Sequence, residues 1–273
     1  MIGKIIVFIS ILLVYLSAFS IQERQSQYME PYLTQILPAK AHKITAGYMV
    51  QLWAEMLYIK TTVFLGGRKP GQDPQSYVEN LAEHFSVIAT LHPGFIDTYF
   101  MCESSLSSHG SDSVKKVNVV LEKGIAEKPD NWILPFFNAF NLFYYLDEPA
   151  EAAEILYKTT QIPGAPVWLG HLASFLSAKG GNIYAGLIWL KAMLAAEKDE
   201  MIQERYKKEI VVFENAVQVQ QAVQEYSDLY NHPPKELNDL VPDIIPEIPK
   251  IGEGFSLSWE PPVLSLIRPN AKL

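Results

Sequence analysis

Apolar residues recur at helical spacing along most of the chain between Ile44 and Tyr230. In the first such segment they follow the i, i+3, i+4, i+7 series that is typical of an amphipathic helix. The positions are Met49, Leu52, Trp53, Met56, Leu57, Ile59 and Val63. This pattern predicts one long helix over Ile44–Leu65, which Gly66 and Gly67 end.

The same periodicity predicts eight more helices, separated by short stretches rich in Gly, Pro and small polar residues. They are Gln75–Thr90, Gly94–Leu106, Ser113–Glu127, Asn131–Leu146, Pro149–Gln161, Ala165–Ala178, Ile183–Lys198 and Met201 to about Tyr230. Asp112 or Ser113 is expected to cap the third of these helices, and Asp130 or Asn131 the fourth. Pro149 falls in the first turn of its helix, where a missing N–H costs nothing.

The chain begins with an apolar segment that is predicted to direct export. Lys4 precedes Ile5–Phe19, a run of 15 residues without charge. The small residues Ala18 and Ser20 offer a cleavage site before Ile21, as in a signal peptide. A tilted, uncleaved membrane anchor over residues 1–21 is the alternative, and both place the rest of the chain outside the cytoplasm. Residues 22–43 are predicted to be a polar linker with a short helical piece around Pro31–Leu37.

The end of the chain has a different character. The helix over residues 199–230 is expected to cap the helical region, since a terminal repeat must cover the last apolar face. Residues 231–273 form a proline-rich tail with a short helix around Leu237 and Leu240. Within this tail, Gly252–Trp259 alternates apolar and polar residues and predicts a strand, with Val263–Ile267 as its hairpin partner.

A helix-turn-helix pattern returns within residues 44–198. Three helix ends are closed by Pro93, Pro129 and Pro163, with 36 residues from the first to the second and 34 from the second to the third. A return of about 34 residues is the length of a tetratricopeptide repeat, or TPR. An ordinary helical domain without repeats is the alternative.

The second helices of the pairs resemble those of the TPR family. Small and large residues stand where two helices of that family cross closely, most clearly between about residues 94 and 198. The matching positions are Ala152, Leu156 and Thr159; Ala185, Trp189 and Ala192; and Val117, Leu121 and Gly124. The resemblance implies a mainly α fold, a right-handed helical-repeat solenoid with an N-terminal signal or anchor helix and a small C-terminal β-hairpin tail.

The same resemblance implies a groove lined by the first helix of each pair, which holds a protein partner or an extended peptide. The groove positions that it assigns are Tyr99, Phe137, Asn141, Tyr144, His171 and Ser174. Asn141 matches the asparagine that hydrogen-bonds a peptide backbone in many family members. Phe137 and Tyr144 either line this groove or fill the core between helices, and Glu55 lies either at the surface or in an internal ion pair.

The tail is similar to the segment after the long helix in exported pseudopilin-type proteins, which implies a local fold but not their role. As a whole the chain resembles exported, membrane-tethered TPR proteins of bacteria. We therefore expect it on the periplasmic side of the inner membrane.

Composition narrows the class of function. The net charge is −8 and the basic residues are scattered, which disfavours nucleic acid as a partner. Cys102 is the single cysteine, so an intrachain disulfide is excluded and a buried apolar role is expected. The six histidines are never three or four residues apart, and no Gly-x-Ser-x-Gly elbow occurs. We expect no metal, no cofactor and no small-molecule substrate.

These observations predict a non-enzymatic protein-interaction scaffold of the cell envelope. The alternative is a structural or assembly subunit of a secretion or pilus-like machine, with the C-terminal strand as its contact.

Overall fold

The computed structural model describes residues 10–20, 33–68, 71 and 73–269. Residues 10–20 of the predicted export segment are helical, while the rest of that segment and residues 22–32 of the predicted linker lie outside the described residues. Among the residues that are described, no helix has both the length and the apolar character that a membrane span requires.

Ten α-helices follow one another between residues 39 and 230, so the chain is mainly helical, as predicted. They are α1 (Ala39–Ala46), α2 (Val50–Gly67), α3 (Val78–Leu91), α4 (Asp97–Leu106), α5 (Ser111–Glu127), α6 (Ile133–Tyr145), α7 (Pro149–Thr159), α8 (Trp168–Lys179), α9 (Ile183–Ala196) and α10 (Glu200–Tyr230). Short 3₁₀ turns occupy Gly47–Met49, Pro74–Ser76 and Leu237–Leu240. From α3 onward the predicted and observed boundaries agree within three residues.

The first part of the helical region differs from the prediction. The single helix expected over Ile44–Leu65 is divided into α1 and α2, because Gly47 has φ of +55° and interrupts the helical backbone. The helical piece expected around Pro31–Leu37 is absent from residues 33–37. A residue that precedes proline is disfavoured in helical conformation, so Pro38 separates this non-helical stretch from α1.

The helix caps confirm one prediction and correct another. Asn131 Oδ1 accepts the N–H groups of Ile133 and Leu134 at 3.0 and 3.1 Å, so Asn131 is the residue that caps α6. Neither Asp112 nor Ser113 caps α5, which already begins at Ser111. The Ser113 hydroxyl instead donates to the carbonyl oxygen of Leu106, which ties α5 to the end of α4.

The helices from α3 onward form two layers. In the first layer α4, α6, α8 and α10 are neighbours. Their ring contacts are Phe100 to Phe137 at 5.8 Å, Phe136 to Trp168 at 5.4 Å, and Phe175 to Phe213 at 5.5 Å between centroids. In the second layer α3 packs beside α5, and α7 packs beside α9, where Tyr157 stacks on Trp189 at 4.4 Å. Successive helices therefore alternate between the layers.

The tail folds back onto the helical layers. Strands β1 (Ser256–Glu260) and β2 (Val263–Ile267) form the predicted antiparallel hairpin. Leu264 and Leu266 are buried in the same apolar cluster as Phe213 of α10. The hairpin thus covers apolar surface at the C-terminal end of the helical region.

Candidate functional site

Tyr99 is a core residue. Its side chain is fully buried, and its hydroxyl donates to the carbonyl oxygen of Pro93 at 2.7 Å. Burial raises its pKa to about 12. The ring fills the place where α5 passes over α4, since a Cβ atom added at Gly124 would stand 2.8 Å from it. The prediction that Tyr99 lines a groove is wrong. Because Gly124 has no side chain, α5 can approach α4 closely enough to bury the Tyr99 ring.

Asn141 is also buried, between α4, α5 and α6. Its Nδ2 donates to Glu103 Oε2 at 2.9 Å and to Asn118 Oδ1 at 2.8 Å. Both donor positions of the amide are thus used inside the fold. The prediction that Asn141 hydrogen-bonds a peptide backbone is corrected accordingly: this amide joins three helices.

The carboxyl group of Glu103 is the ionisable member of this cluster. Burial raises its pKa, and the hydrogen bond from Asn141 opposes that rise without cancelling it. A carboxyl group in these surroundings depends on its amide donor, since a buried acceptor without a partner is costly.

Ser174 and His171 belong to α8, and both side chains make contacts within the fold. Ser174 is buried and donates to the carbonyl oxygen of Gly170 at 3.0 Å. His171 Nε2 lies 2.8 Å from Glu209 Oε2 of α10, and its ring contacts Phe175. The groove prediction is corrected for Ser174, because its hydroxyl bonds the helix backbone inside the fold. His171 joins α8 to α10 but has 20% of its side chain exposed, and its place in a groove stays a prediction.

Glu209 is a second buried carboxylate, with 5% of its side chain exposed. Its Oε1 lies 3.6 Å from Nη2 of Arg268, whose guanidinium group lies over the rings of Phe175 and Phe255 at 5.1 and 4.6 Å. An acid that is buried this deeply needs a cationic partner, and Arg268 supplies one from the end of the hairpin. The contacts of Arg268 with Glu209 and Phe175 hold the end of the tail against α8 and α10.

Phe137 and Tyr144 remain as candidates for a binding surface. Phe137 is half-buried between Phe100 and Phe136, so it contributes both to the core and to the surface. Tyr144 is 57% exposed and stacks on Phe140 with 5.0 Å between ring centroids. Of the six positions assigned from the sequence, these two are the ones on α6 whose side chains reach the surface.

The rings around Tyr144 form a continuous surface, here called the aromatic face. Its members are Phe136, Phe137, Phe140, Tyr144 and Tyr145 of α6 and Trp168 of α8. Trp168 is 48% exposed and Tyr145 38%. The α6 sequence that builds this surface, ILPFFNAFNLFYY, carries no charged residue. The aromatic face therefore presents partly exposed, uncharged ring surfaces to solvent.

Sequence reasoning missed four members of this face, although part of the signal is visible. Phe136, Phe140 and Tyr144 stand at i, i+4 and i+8, which places them on one side of a helix. Trp168 could not have been assigned, because its contact with Phe136 joins two helices that are far apart in the chain.

Two pockets among the described residues lie away from the aromatic face. One of about 390 Å³ is bordered by Leu37, Ala82, Val87 and Val119, between residues 33–38 and helices α3 and α5. Another of about 470 Å³ adjoins Glu209 and is lined by side chains of α10, by residues just before β1 and by Arg268 after β2. Each borders an internal contact of the fold rather than the exposed rings.

Comparisons with protein-family models, with curated proteins and with solved structures find no match to this chain.

Proposed function

We propose that this chain is a non-enzymatic scaffold that binds a protein partner, or an extended peptide of that partner, on its aromatic face. The observation that carries the proposal is the exposure of contiguous rings on α6 and α8. Exposed apolar patches of this kind mark interaction sites in soluble domains. Tyr and Trp are also enriched among the residues that dominate binding energy at protein interfaces.

The architecture proposed for the scaffold is a right-handed solenoid of TPR type. Support comes from contacts between neighbouring helices of the first layer. The Glu103–Asn141 and His171–Glu209 contacts each join residues that are 38 positions apart. This separation equals about one TPR length of 34 residues plus one helical turn. The ring contact between α6 and α8 joins residues 32 positions apart, so these separations range from 32 to 38, as expected when each helix pair stacks on the one before it.

The expected strength of binding follows from the area of the rings. An aromatic side chain buries about 150–250 Å² in total, so the exposed half of Tyr144 or Trp168 offers about 100 Å². At about 25 cal/mol per Å², covering either ring contributes about 2.5 kcal/mol. Removal of one ring is thus expected to weaken binding by a factor of about 30 to 100.

The proposed location is the periplasmic side of the inner membrane, with the N-terminal segment as tether or as cleaved signal. It is supported by the charge-free run Ile5–Phe19 after Lys4. N-terminal sequencing of the exported protein distinguishes the two fates: Ile21 as first residue indicates cleavage, and Met1 or Ile2 indicates an anchor. Protein recovered from the cytoplasmic fraction would contradict the location.

The binding proposal is tested by affinity capture with the full-length chain and two single variants, Tyr144→Ala and Trp168→Ala. A specific partner is expected with the unaltered chain and is lost or strongly reduced with each variant. Tyr184→Ala is the matched control, since Tyr184 lies on α9 outside the aromatic face and is 56% exposed. Equal capture by all four proteins would refute the assignment of the aromatic face.

A further inference from the structure

One face of α2 carries an exposed apolar stripe with the spacing of a coiled coil. We call this stripe the α2 seam. It consists of Leu52, Met56, Ile59 and Val63 of α2 together with Met49, the last residue of the 3₁₀ turn before α2, and each of these side chains is between 48 and 65% exposed. The steps of three, four, three and four residues correspond to the a and d positions of a heptad repeat.

The opposite face of α2 is already used by the fold. Ala54, Thr61 and Phe64 are buried against the rest of the chain. The helix is thus held in place by one face while the α2 seam remains uncovered. At the other end of the helical region the hairpin covers α10, so the two ends differ. A terminal helix with an apolar outer face normally requires a cover in water.

The charged residues beside the α2 seam indicate which surface would pack against it. With Met49, Met56 and Val63 at a and with Leu52 and Ile59 at d, Glu55 stands at a g position and Lys60 at the next e position. In a parallel pair of helices, g of one heptad faces e of the following heptad on the other helix. Glu55 would then meet Lys60 of a second copy, and the two-fold axis repeats the pair. An antiparallel pair brings g opposite g and e opposite e, where the charges are alike.

We propose that α2 pairs with α2 of a second copy of this chain, as a parallel two-stranded coiled coil closed by two Glu55–Lys60 ion pairs. Glu55 is 45% exposed, and its Oε1 lies 3.5 Å from Nδ1 of His92 in its own chain, so pairing exchanges this contact for Lys60 of the second copy. The helix is already stabilised by the core, so pairing does not bear the cost of nucleating it. The dimer presents two aromatic faces, which strengthens attachment to a partner that carries two binding segments.

The seam is short, and the dimer is accordingly weak. The part of the seam that lies on α2, from Leu52 to Val63, spans about 17 Å of helix. An interface of this size belongs to the small, transient class, so we expect dissociation constants on the order of 1–100 µM.

Disulfide trapping of the full-length chain tests the pairing and its direction. Leu52→Cys and Ile59→Cys place a thiol at each d position, where the side chains of a parallel pair meet within disulfide reach. Both variants are expected to form disulfide-linked dimers under mild oxidation. Gln51→Cys is the control on the same helix, exposed but off the seam, and is expected to stay monomeric. The native Cys102 is fully buried and does not interfere.

Every other outcome of the disulfide trapping contradicts the proposal. An antiparallel pair traps at most one of the two d variants. If neither is trapped although both react with a maleimide, no second copy covers the seam. Equal trapping of Gln51→Cys indicates random collision. If a thiol at Leu52 forms a disulfide with one placed at Leu12 of the same chain, the chain's own N-terminal segment is the cover.

Charge reversal tests the ion pairs independently of any thiol. Glu55→Lys or Lys60→Glu alone puts like charges opposite each other at two places, and each is expected to raise the dissociation constant about 5- to 30-fold. The double variant Glu55→Lys/Lys60→Glu restores the pairing to within about threefold. Residues five apart do not interact on one helix, so this rescue reports on the second copy. A double variant that is no better than the singles overturns the assignment.

Discussion

Replacement of Asn141 by leucine tests whether this amide supports the fold or faces a ligand. The side chain is fully buried, and Asn141→Leu removes its two hydrogen bonds, to Glu103 and to Asn118. Loss of the bond to the carboxyl group costs about 1.5–3 kcal/mol, and loss of the bond to the amide about 0.5–1.5 kcal/mol. We expect a total loss of about 2–4 kcal/mol in the free energy of unfolding.

The assay is urea and thermal unfolding of the full-length chain, followed by far-ultraviolet circular dichroism. For a chain of this size each kcal/mol lowers Tm by about 2–4 °C, so the expected decrease is about 5–15 °C. In a Glu103→Gln background the cost of Asn141→Leu should be smaller, because a neutral amide rather than a carboxyl group is left without its donor. A loss below about 0.5 kcal/mol, together with loss of partner binding, would refute the structural role.

Three further predictions concern neighbouring features. Burial raises the pKa of Glu103 above its ordinary 4.5, so the contribution of this residue to stability is complete below pH 4.5 and is lost as pH rises through the folded-state pKa. The urea midpoint of the unaltered chain should therefore fall between pH 4 and 8, and Glu103→Gln should make this fall less steep. An unchanged slope would contradict the prediction. Gly186→Ala would place a Cβ atom 2.5 Å from the backbone oxygen of Ser174 and is expected to lower the unfolding free energy by about 1–3 kcal/mol. Gly170→Ala meets mainly a flexible methionine side chain and should change the unfolding free energy by less than about 1 kcal/mol. Equal melting temperatures of the two variants would contradict the close helix crossing at Gly186. Tyr144→Ala should change the unfolding free energy by less than about 0.5 kcal/mol, because the ring is exposed, and a larger loss would mean that the ring supports the core.

The helices from α3 onward were predictable because apolar periodicity and loop residues are both local signals. The hairpin was predictable for the same reason, from the alternation before Trp259. The division between α1 and α2 was not predicted. The apolar pattern continues on both sides of Gly47, and it carries no information about the positive φ of this glycine. Pro38 did carry a signal for the start of α1, but the apolar residues before it favoured a helix.

The candidate site was harder to predict than the fold. The family resemblance placed Asn141 and His171 on the correct helices, yet their partners Glu103 and Glu209 lie 38 residues away in opposite directions. A polar residue that faces a neighbouring helix has the same local pattern as one that faces a groove. Burial of both partners decides between the two, and burial depends on tertiary packing. Tyr144 could be placed at the surface only once its surroundings were known.

Site-specific photo-crosslinking in living cells tests the binding surface most directly. A photoreactive phenylalanine analogue is placed at position 144 on the aromatic face and, in a second strain, at position 184 on α9. Our account predicts one discrete crosslinked product from position 144, lost when Trp168→Ala is added, and none from position 184. The same product from both positions, or a position-144 product that persists with Trp168→Ala, would contradict binding on the aromatic face.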